Sequence, residues 1–230
     1  MRTITVCNRT FVFRPRLCDA CAEKRQAEER QKESTRWERL CPALYRNTDL
    51  CRVSEELYAK SYDERWTQEV FGWEYGPVGL VVSGPTGTGK SRLVWVLLRR
   101  LLDDEKRTGI ALDGMTFRSA LQLARNHGTE EYVRRLVRCA VLYWDYLGGM
   151  HVTANEGEVL LHVVEQRCAA QKPILATTQY AGPELETRLS HSGSAIRRRL
   201  NEFCRVVRIA RAEEQHQKPR LGSANGKAVR

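Results

Sequence analysis

The residues best suited to chemistry in this chain lie in one glycine-rich stretch, GPTGTGKS, at positions 84–91. It matches G-x-x-x-x-G-K-[ST], whose glycines let successive backbone N–H groups turn into one anion-binding cradle. The lysine of such a loop reaches the β- and γ-phosphates of a nucleotide, and the following hydroxyl binds magnesium. The sequence therefore predicts a site for ATP and Mg²⁺ formed by Gly84, Pro85, Thr86, Gly87, Thr88, Gly89, Lys90, Ser91 and Arg92.

A carboxylate in a suitable position follows later in the chain. The apolar run VLYW at 141–144 leads directly into Asp145, and the sequence YLGG follows. An acid at the carboxyl end of a buried parallel strand can serve the nucleotide's magnesium, so Ser91 and Asp145 are the predicted magnesium residues. Many ATPases place a second acid next to activate water, but here the next residue is Tyr146.

The tyrosine at this position predicts weak hydrolysis. A phenol is a poor base at neutral pH because its pKa is about 10, and loss of a general base typically lowers a rate by about 10²–10⁴-fold. Glu156 and Glu158, which follow the Gly-Gly pair, are the candidates to replace the missing acid.

Polar residues also end a later apolar run. Thr177, Thr178 and Gln179 follow PILA, and a polar side chain at the end of a parallel strand could orient water beside the γ-phosphate. Simple strand termination is the alternative. Further on, AIRRRL places three arginines at 197–199, which splay around a helix. One could reach a neighbouring subunit's γ-phosphate, while the others face DNA or solvent.

The elements that must position these residues alternate along the chain. Apolar runs and helical periodicity predict an α/β fold, a five-stranded parallel sheet between helices. The predicted strands are 78–83, 110–117, 141–145, 173–179 and 204–209. The first predicted helix follows the glycine-rich loop and runs to about residue 106. The other predicted helices span 118–126, 130–138, 155–170, 183–189 and 194–202.

The ordered set of motifs resembles a known family. The phosphate loop, the strand-borne acid before LGG, the strand-end TTQ and the arginine-leucine helix together resemble the AAA+ ATPases of the DnaC/DnaI helicase-loader and IstB transposition-helper group. The stretches WEYGPVGLVVSGPTGTGKSR and CPALYRNTDL are similar to the entry to that core and to a segment before it. The resemblance covers roughly residues 41–209.

The resemblance implies an oligomeric ATPase that contacts single-stranded DNA and a replicative helicase. It implies that Gln179 occupies a sensor position usually held by Asn, and that Arg199 is the arginine before leucine that acts between subunits. With Lys90 and Asp145, these are the expected catalytic residues. Tyr146 departs from the family pattern, which has Asp or Glu there.

The N-terminal region predicts a separate appendage of residues 1–40, with a charged linker helix, before the core at 41–209 and a basic disordered tail at 210–230. Cysteines crowd this appendage, and the pair in CDAC has the spacing of zinc ligands. Four cysteines could bind Zn²⁺, although a degenerate, metal-free knuckle is an equal alternative: Cys7, Cys18, Cys21 and Cys41. Three later cysteines are expected to be buried small hydrophobes: Cys139, Cys168 and Cys204.

Composition narrows the classes of function. The formal net charge is +10, and residues 204–230 carry seven Lys or Arg against two Glu, which favours contact with nucleic acid. No apolar run approaches the roughly 20 residues of a membrane span, and no signal-peptide pattern follows Met1, so a cytoplasmic protein is expected.

The interpretation that these observations favour is a nucleotide-dependent DNA-replication protein of helicase-loader type, assembling with ATP into a homo-oligomer. Its expected partners are single-stranded DNA and a replicative helicase or a transposase-type protein. The alternatives are an IstB-like transposition helper, a small-molecule kinase with the same phosphate loop, and a non-hydrolysing module in which ATP only stabilises an interaction surface.

Overall fold

The three-dimensional structure is a computed structural model that describes residues 2–6, 9–13, 19–47, 64–103 and 108–209. The chain divides into two compact units, Met1–Pro42 and Ala43–Arg230. The predicted tail at 210–230 lies outside the described residues.

The first unit contains a β-hairpin and a long helix. Strands β1 (Arg2–Val6) and β2 (Arg9–Phe13) pair antiparallel, with Arg2 opposite Phe13. Helix α1 (Asp19–Leu40) is rich in charged residues and has little apolar face. The hairpin was not predicted, because the sequence there indicated only a compact, turn-rich segment.

The second unit alternates helices and strands around one sheet. It begins with a short 3₁₀ helix at Ala43–Tyr45 and includes a second one at Ser190–Ser192. Among its described residues, the helices are α2 (Glu64–Phe71), α3 (Lys90–Asp103), α4 (Gly114–His127), α5 (Thr129–Arg138), α6 (Ala154–Ala169), α7 (Gly182–Arg188) and α8 (Gly193–Phe203). Its strands are β3 (Gly79–Ser83), β4 (Gly109–Leu112), β5 (Val141–Trp144), β6 (Ile174–Thr178) and β7 (Cys204–Arg208).

The five strands form a parallel sheet in the order β4-β5-β6-β3-β7. Every residue of the central strands β3, β5 and β6 is buried, as expected for a sheet covered on both faces. The predicted fold class, a five-stranded parallel sheet between helices, is confirmed. Because all strands run the same way, the residues that follow β3, β5 and β6 meet at one edge of the sheet.

The second strand ends earlier than predicted. The sequence indicated a strand over 110–117, but β4 stops at Leu112 and α4 begins at Gly114. The carboxylate of Asp113 accepts a hydrogen bond from the backbone N–H of Thr116 at 2.7 Å and caps the helix. This local hydrogen bond favours a helix start over continued strand, so the prediction was wrong beyond Leu112. The other four strands start and end within one residue of their predicted bounds.

Candidate nucleotide-binding site

The glycine-rich loop joins β3 to α3 at the carboxyl edge of the sheet. The backbone N–H of Gly84 donates to the carbonyl of Thr178 at 3.2 Å, which fixes the loop to the end of β6. Gly87 and Gly89 have φ of 82° and 80°, values at which a Cβ would be strained. The loop is therefore curled as the sequence predicted, and α3 begins at its lysine.

Lys90 is buried and its ammonium group lies inside the loop. Its Nζ donates to the carbonyls of Gly84 at 2.7 Å and Pro85 at 2.6 Å, and to Thr88 Oγ1 at 3.3 Å. Burial lowers the pKa of Lys90 to about 8, and the charge of Asp145 offsets part of that shift. The loop thus holds a buried cation whose partners are neutral oxygens, an arrangement that favours a negatively charged ligand.

Asp145 is the centre of a hydroxyl cluster directly after β5. Its Oδ1 accepts hydrogen bonds from Ser91 Oγ at 2.7 Å and from Thr177 Oγ1 at 2.8 Å. The same Thr177 hydroxyl accepts from the backbone N–H of Tyr146 at 2.8 Å. A carboxylate with a neighbouring serine hydroxyl is a set of hard oxygen donors, which fits Mg²⁺. The structure therefore brings the two predicted magnesium residues into direct contact.

The three polar residues that end β6 have separate partners. Thr177 contacts Asp145, whereas the Thr178 hydroxyl donates to the carbonyl of Leu147 at 2.8 Å and stays within the fold. Gln179 lies against the phosphate loop, where its Oε1 accepts a hydrogen bond from the Thr86 hydroxyl. Thr177 contacts Asp145 and Gln179 contacts the phosphate loop, so these two residues do more than end the strand.

Tyr146 faces the same cavity as the loop. It has φ of 63°, and its side chain is 39% exposed. Its ring lies 6.1 Å from that of Tyr180, and the Arg188 guanidinium lies 3.9 Å over the Tyr180 ring. Burial and contact with Tyr180 raise the pKa of Tyr146 to about 12. The phenol is neutral at physiological pH and does not act as a base there.

The candidate replacement acids are engaged elsewhere. Both carboxylate oxygens of Glu156 accept from Arg118, at 2.6 and 2.9 Å, and Glu156 also completes the capping box of α6 with Thr153. The hydrogen bond from Arg118 lowers the pKa of Glu156. Glu158 is exposed and lies 3.4 Å from His191. Neither glutamate lines the cavity beside the loop, so the structure does not support their use as the missing acid.

The three consecutive arginines of α8 each contact a carboxylate of this chain. Arg197 pairs with Glu186, and Arg198 lies 3.9 Å from Glu202. Arg199 lies 3.1 Å from Glu202 and 3.7 Å from Glu165. Action of Arg199 on a neighbouring subunit stays a prediction.

A cavity of about 320 Å³ opens beside the loop and adds two residues that sequence reasoning did not assign to the site. Leu44 and Tyr45 belong to the 3₁₀ helix before the core, and the Tyr45 ring stacks on Trp95 with centroids 6.2 Å apart. Their only sequence signal is the stretch CPALYRNTDL. The lining residues are Leu44, Tyr45, Thr86, Gly87, Gly89, Lys90, Ser91, Arg92 and Tyr146.

The predicted zinc ligands fall largely outside the structure. Cys7 and Cys18 are not among the described residues, nor is the side chain of Cys21. Cys41, directly after α1, is buried, and its thiol donates to the carbonyl of Pro42 at 3.5 Å. Within the described part of the chain, no group of three or more His, Cys, Asp or Glu residues could hold a metal ion. Zinc binding therefore stays a prediction.

The three later cysteines differ in burial. Cys139 and Cys204 are buried, as predicted, while Cys168 is half-buried. None of the helices within the described ranges combines the length and apolar character that crossing a bilayer requires.

Comparison with known protein families found no matching family profile. One curated protein has a similar sequence: YdaV, an uncharacterized protein of Escherichia coli strain K12, is 32% identical over 101 residues. The matched region is 43% of this chain and 40% of YdaV, so the chain spans about two fifths of its curated relative's length.

Solved structures share the fold more extensively. DnaI has a TM-score of 0.55 and 17% identity, covering 71% of this chain and 89% of DnaI. The DnaC helicase loader has a TM-score of 0.54 and 18% identity, covering 76% of this chain and 99% of DnaC. AMPPCP-bound DnaA from Aquifex aeolicus has a TM-score of 0.51 and 16% identity, covering 63% and 44%.

These structures decide the fold type. The chain has the AAA+ P-loop NTPase fold. The resemblance to DnaC and DnaI inferred from the motifs is confirmed for this AAA+ fold, and the low identities limit what the likeness shows to the fold itself. Within the AAA+ unit, the loop, Asp145 and the end of β6 occupy one edge of the sheet.

Proposed function

We propose that this chain is an ATP-binding AAA+ protein of DNA replication, of helicase-loader type. The observation that carries the proposal is the meeting of Lys90, Ser91, Asp145 and Thr177 beside a cavity of about 320 Å³. The fold likeness to DnaI and to the DnaC helicase loader supports a replication role. A non-hydrolysing role in the same setting is favoured by one observation, the neutral phenol of Tyr146.

In the proposed complex the phosphates of ATP take the place of the loop carbonyls around Lys90. Because the ammonium group already lies inside the loop, binding exchanges neutral partners for charged ones without moving the lysine far. Ser91 and Asp145 would hold Mg²⁺, which supplies positive charge to the β- and γ-phosphates. AMPPCP, an ATP analogue, occupies the related fold of DnaA, and this supports nucleotide binding here.

The base and sugar are proposed to contact Leu44 and Tyr45. These residues line the same cavity as the loop, and Leu44 is 70% exposed. An exposed apolar side chain beside a polar loop offers a surface for the face of an adenine ring.

Slow hydrolysis follows from the position of Tyr146. Gln179 lies at the loop and can orient water, but none of the described residues that line the cavity carries a carboxylate. Tyr146→Glu is expected to raise the single-turnover rate by about 10²-fold, because a general base is restored. The paired change Glu156→Gln and Glu158→Gln is the control and is expected to leave the rate unchanged. Brisk wild-type hydrolysis that the tyrosine substitution does not increase would contradict the proposal.

Assembly and DNA binding are tested by measuring ATPase rate with and without single-stranded DNA, alongside native mass with ATP and with ADP. An oligomer that forms only with ATP is expected, and Arg199→Ala should lower turnover only where subunits associate. Deletion of residues 213–230 should weaken DNA binding and flatten its salt dependence, because fewer phosphates are neutralised. A protein that stays monomeric with and without ATP, and that transfers phosphate from ATP to a small molecule, would instead indicate a kinase. ATP-dependent assembly with a transposase, rather than a helicase, would indicate a transposition helper.

A further inference from the structure

A buried tyrosine lies under the proposed magnesium site. Tyr143 is on β5 two residues before Asp145, so the two side chains project from the same face of the sheet. The Tyr143 side chain is 0% exposed, and its ring packs edge-on against Trp95 with centroids 5.2 Å apart. Trp95 follows Ser91 by one turn of α3. The phenol is therefore enclosed between α3 and the sheet, below the contact between Ser91 and Asp145.

The Tyr143 hydroxyl is an unexplained polar group at this position. It is buried and makes no hydrogen bond of ordinary geometry to any residue that the structure describes. Buried polar groups are nearly always paired, so an unpaired one requires a reason. Its neighbours are Asp145, Thr177 and Ser91, which are close enough to alter its acidity. A phenol is an O–H donor at neutral pH, because its ordinary pKa is about 10.

Asp145 has an acceptor to match this donor. Its Oδ1 takes both hydroxyl hydrogen bonds, from Ser91 and Thr177, whereas its Oδ2 receives none from the described residues. A carboxylate that must stay ionised and correctly turned is best held by donors on both oxygens. The nearby unpaired phenol is suited to provide the second.

We propose that Tyr143 is a positioning residue of the magnesium site, whose hydroxyl donates to Asp145 when nucleotide and metal are bound. The proposal rests on the proposed function, since it concerns the same Asp145 and Ser91. Tyr143 itself does not contact the nucleotide: it acts by restricting the orientation of the carboxylate. In the free protein the hydroxyl lies beside Asp145 without a hydrogen bond of ordinary geometry, and in the complex it completes that bond.

The test compares Tyr143→Phe with a matched control, Tyr132→Phe. The Tyr132 hydroxyl is likewise buried without a partner among the described residues, but it lies on α5 beside Phe117, away from the loop. Affinity for ATP is measured by calorimetry with Mg²⁺ and with a chelator, and thermal melting is recorded for each free protein. Both variants remove an unpaired hydroxyl, so both free proteins are expected to melt at the wild-type temperature or higher.

Only the Tyr143 variant should change the effect of magnesium. Its Mg²⁺-dependent gain in ATP affinity is expected to fall about 10-fold to 100-fold, the range for a hydrogen bond to a charged group, with metal-free affinity unchanged. In a double-mutant cycle with Asp145→Asn, the effect of removing the hydroxyl should largely disappear.

If Mg²⁺ increased the ATP affinity of Tyr143→Phe as much as that of the wild-type protein, the inference would be overturned and the proposed function would stay intact. An equal loss of affinity with and without metal would also overturn it, because that result indicates a packing defect. If the wild-type protein showed no Mg²⁺-dependent ATP binding, the proposed function would fail first and this inference with it.

Discussion

Two buried cations lie at opposite edges of the sheet, and both are held by backbone carbonyl oxygens. Lys90 follows the carboxyl end of β3 and donates to two loop carbonyls and a threonine hydroxyl. Arg167, near the end of α6, lies where β5 and β6 begin. Its guanidinium donates to the carbonyls of Leu136, Val137, Cys139, Ala140 and Pro173 and contacts Cys139 Sγ.

The two sites differ in what surrounds the carbonyls. The partners of Lys90 belong to a glycine-rich loop beside an open cavity, so a phosphate can replace them. Arg167 is 0% exposed, and its partners include the last carbonyls of α5, which have no intrahelical donors. At one edge of the sheet, the buried cation and its carbonyl partners therefore form a ligand site. At the other edge, Arg167 and its carbonyl partners only hold elements of the fold together, and we call them the structural joint. Access, rather than the charge itself, makes the difference.

The two cations also differ in how they titrate. Burial lowers the pKa of both groups. The ordinary pKa of lysine is 10.5, and the lowered pKa of Lys90, about 8, lies close to physiological pH. Arginine begins so high that it stays charged in proteins despite the shift. A proton can thus be exchanged at the loop but not at the joint.

The largest effect is expected at the structural joint. Arg167→Met should lower the free energy of unfolding by more than about 3 kcal/mol, because several buried carbonyls lose their donor and each costs about 1–3 kcal/mol unpaired. Urea denaturation measures this change, and Arg138→Met, at an exposed position on α5, is the control with an expected effect within about 0.5 kcal/mol. A loss no larger than the control's would remove the distinction between the two edges.

At the loop, we expect a large effect on ATP binding and only a small effect on the stability of the free protein. ATP at one hundred times its dissociation constant should stabilise the wild-type protein by about 2.7 kcal/mol, and Lys90→Ala should abolish most of that gain. The free protein should lose less than about 1 kcal/mol, because water in the cavity can reach the loop carbonyls. Melting with and without Mg·ATP measures both quantities. An ATP shift that survives in Lys90→Ala would show that the nucleotide binds elsewhere.

A smaller effect is expected from pH. The phosphates of ATP favour charged Lys90 and raise its pKa, so the free protein must take up a proton to bind ATP above pH 8. Affinity should be level below that pH and then fall by up to about tenfold per pH unit. The stability of the free protein should change in the opposite direction. Between about pH 8 and 10.5 Lys90 is protonated in the unfolded chain but not in the folded one, so the free energy of unfolding should rise with pH over this range.

Calorimetry at pH 7 and pH 9 measures the dependence of affinity on pH. Lys90→Arg serves as the reference, because its guanidinium stays charged across this range while ATP and every other group titrate as before. A wild-type dependence equal to that of the variant would mean that Lys90 is not the group that takes up the proton.

The smallest effect is expected beside Arg167. Burial raises the pKa of the Cys139 thiol, which donates to the carbonyl of Leu136 at 3.3 Å and accepts from Arg167. Cys139→Ala should lower the free energy of unfolding by about 1 kcal/mol, because other carbonyls still hold the guanidinium. Cys168→Ala, at a half-buried position, provides the comparison in the same denaturation experiment. A loss as large as that of Arg167→Met would show that the thiol organises the joint.

The sequence predicted the phosphate loop of one site and gave no sign of the other. The loop is a contiguous stretch of eight residues with a conformation that its glycines favour locally, so Lys90 and Ser91 could be placed without tertiary structure. Arg167 sits in an ordinary helical pattern, and nothing in its neighbours distinguishes it from a solvated arginine. Its role appears only when the end of α5 and the start of β6 are brought around it. Leu44 and Tyr45 were likewise unassigned, because they lie some 40 residues before the loop.

By itself the sequence determined the loop, the acid at the end of β5, the parallel five-stranded sheet and the absence of an acid at position 146. These depend on residue types in short stretches and on apolar periodicity, both of which act locally. Only the tertiary structure decided that Thr177 contacts Asp145, that Glu156 is paired with Arg118, and that Tyr143 lies unpaired beneath the site. The physical reason is that such contacts join residues distant in the chain. Their partners follow from the strand order β4-β5-β6-β3-β7 and from what each helix buries against it.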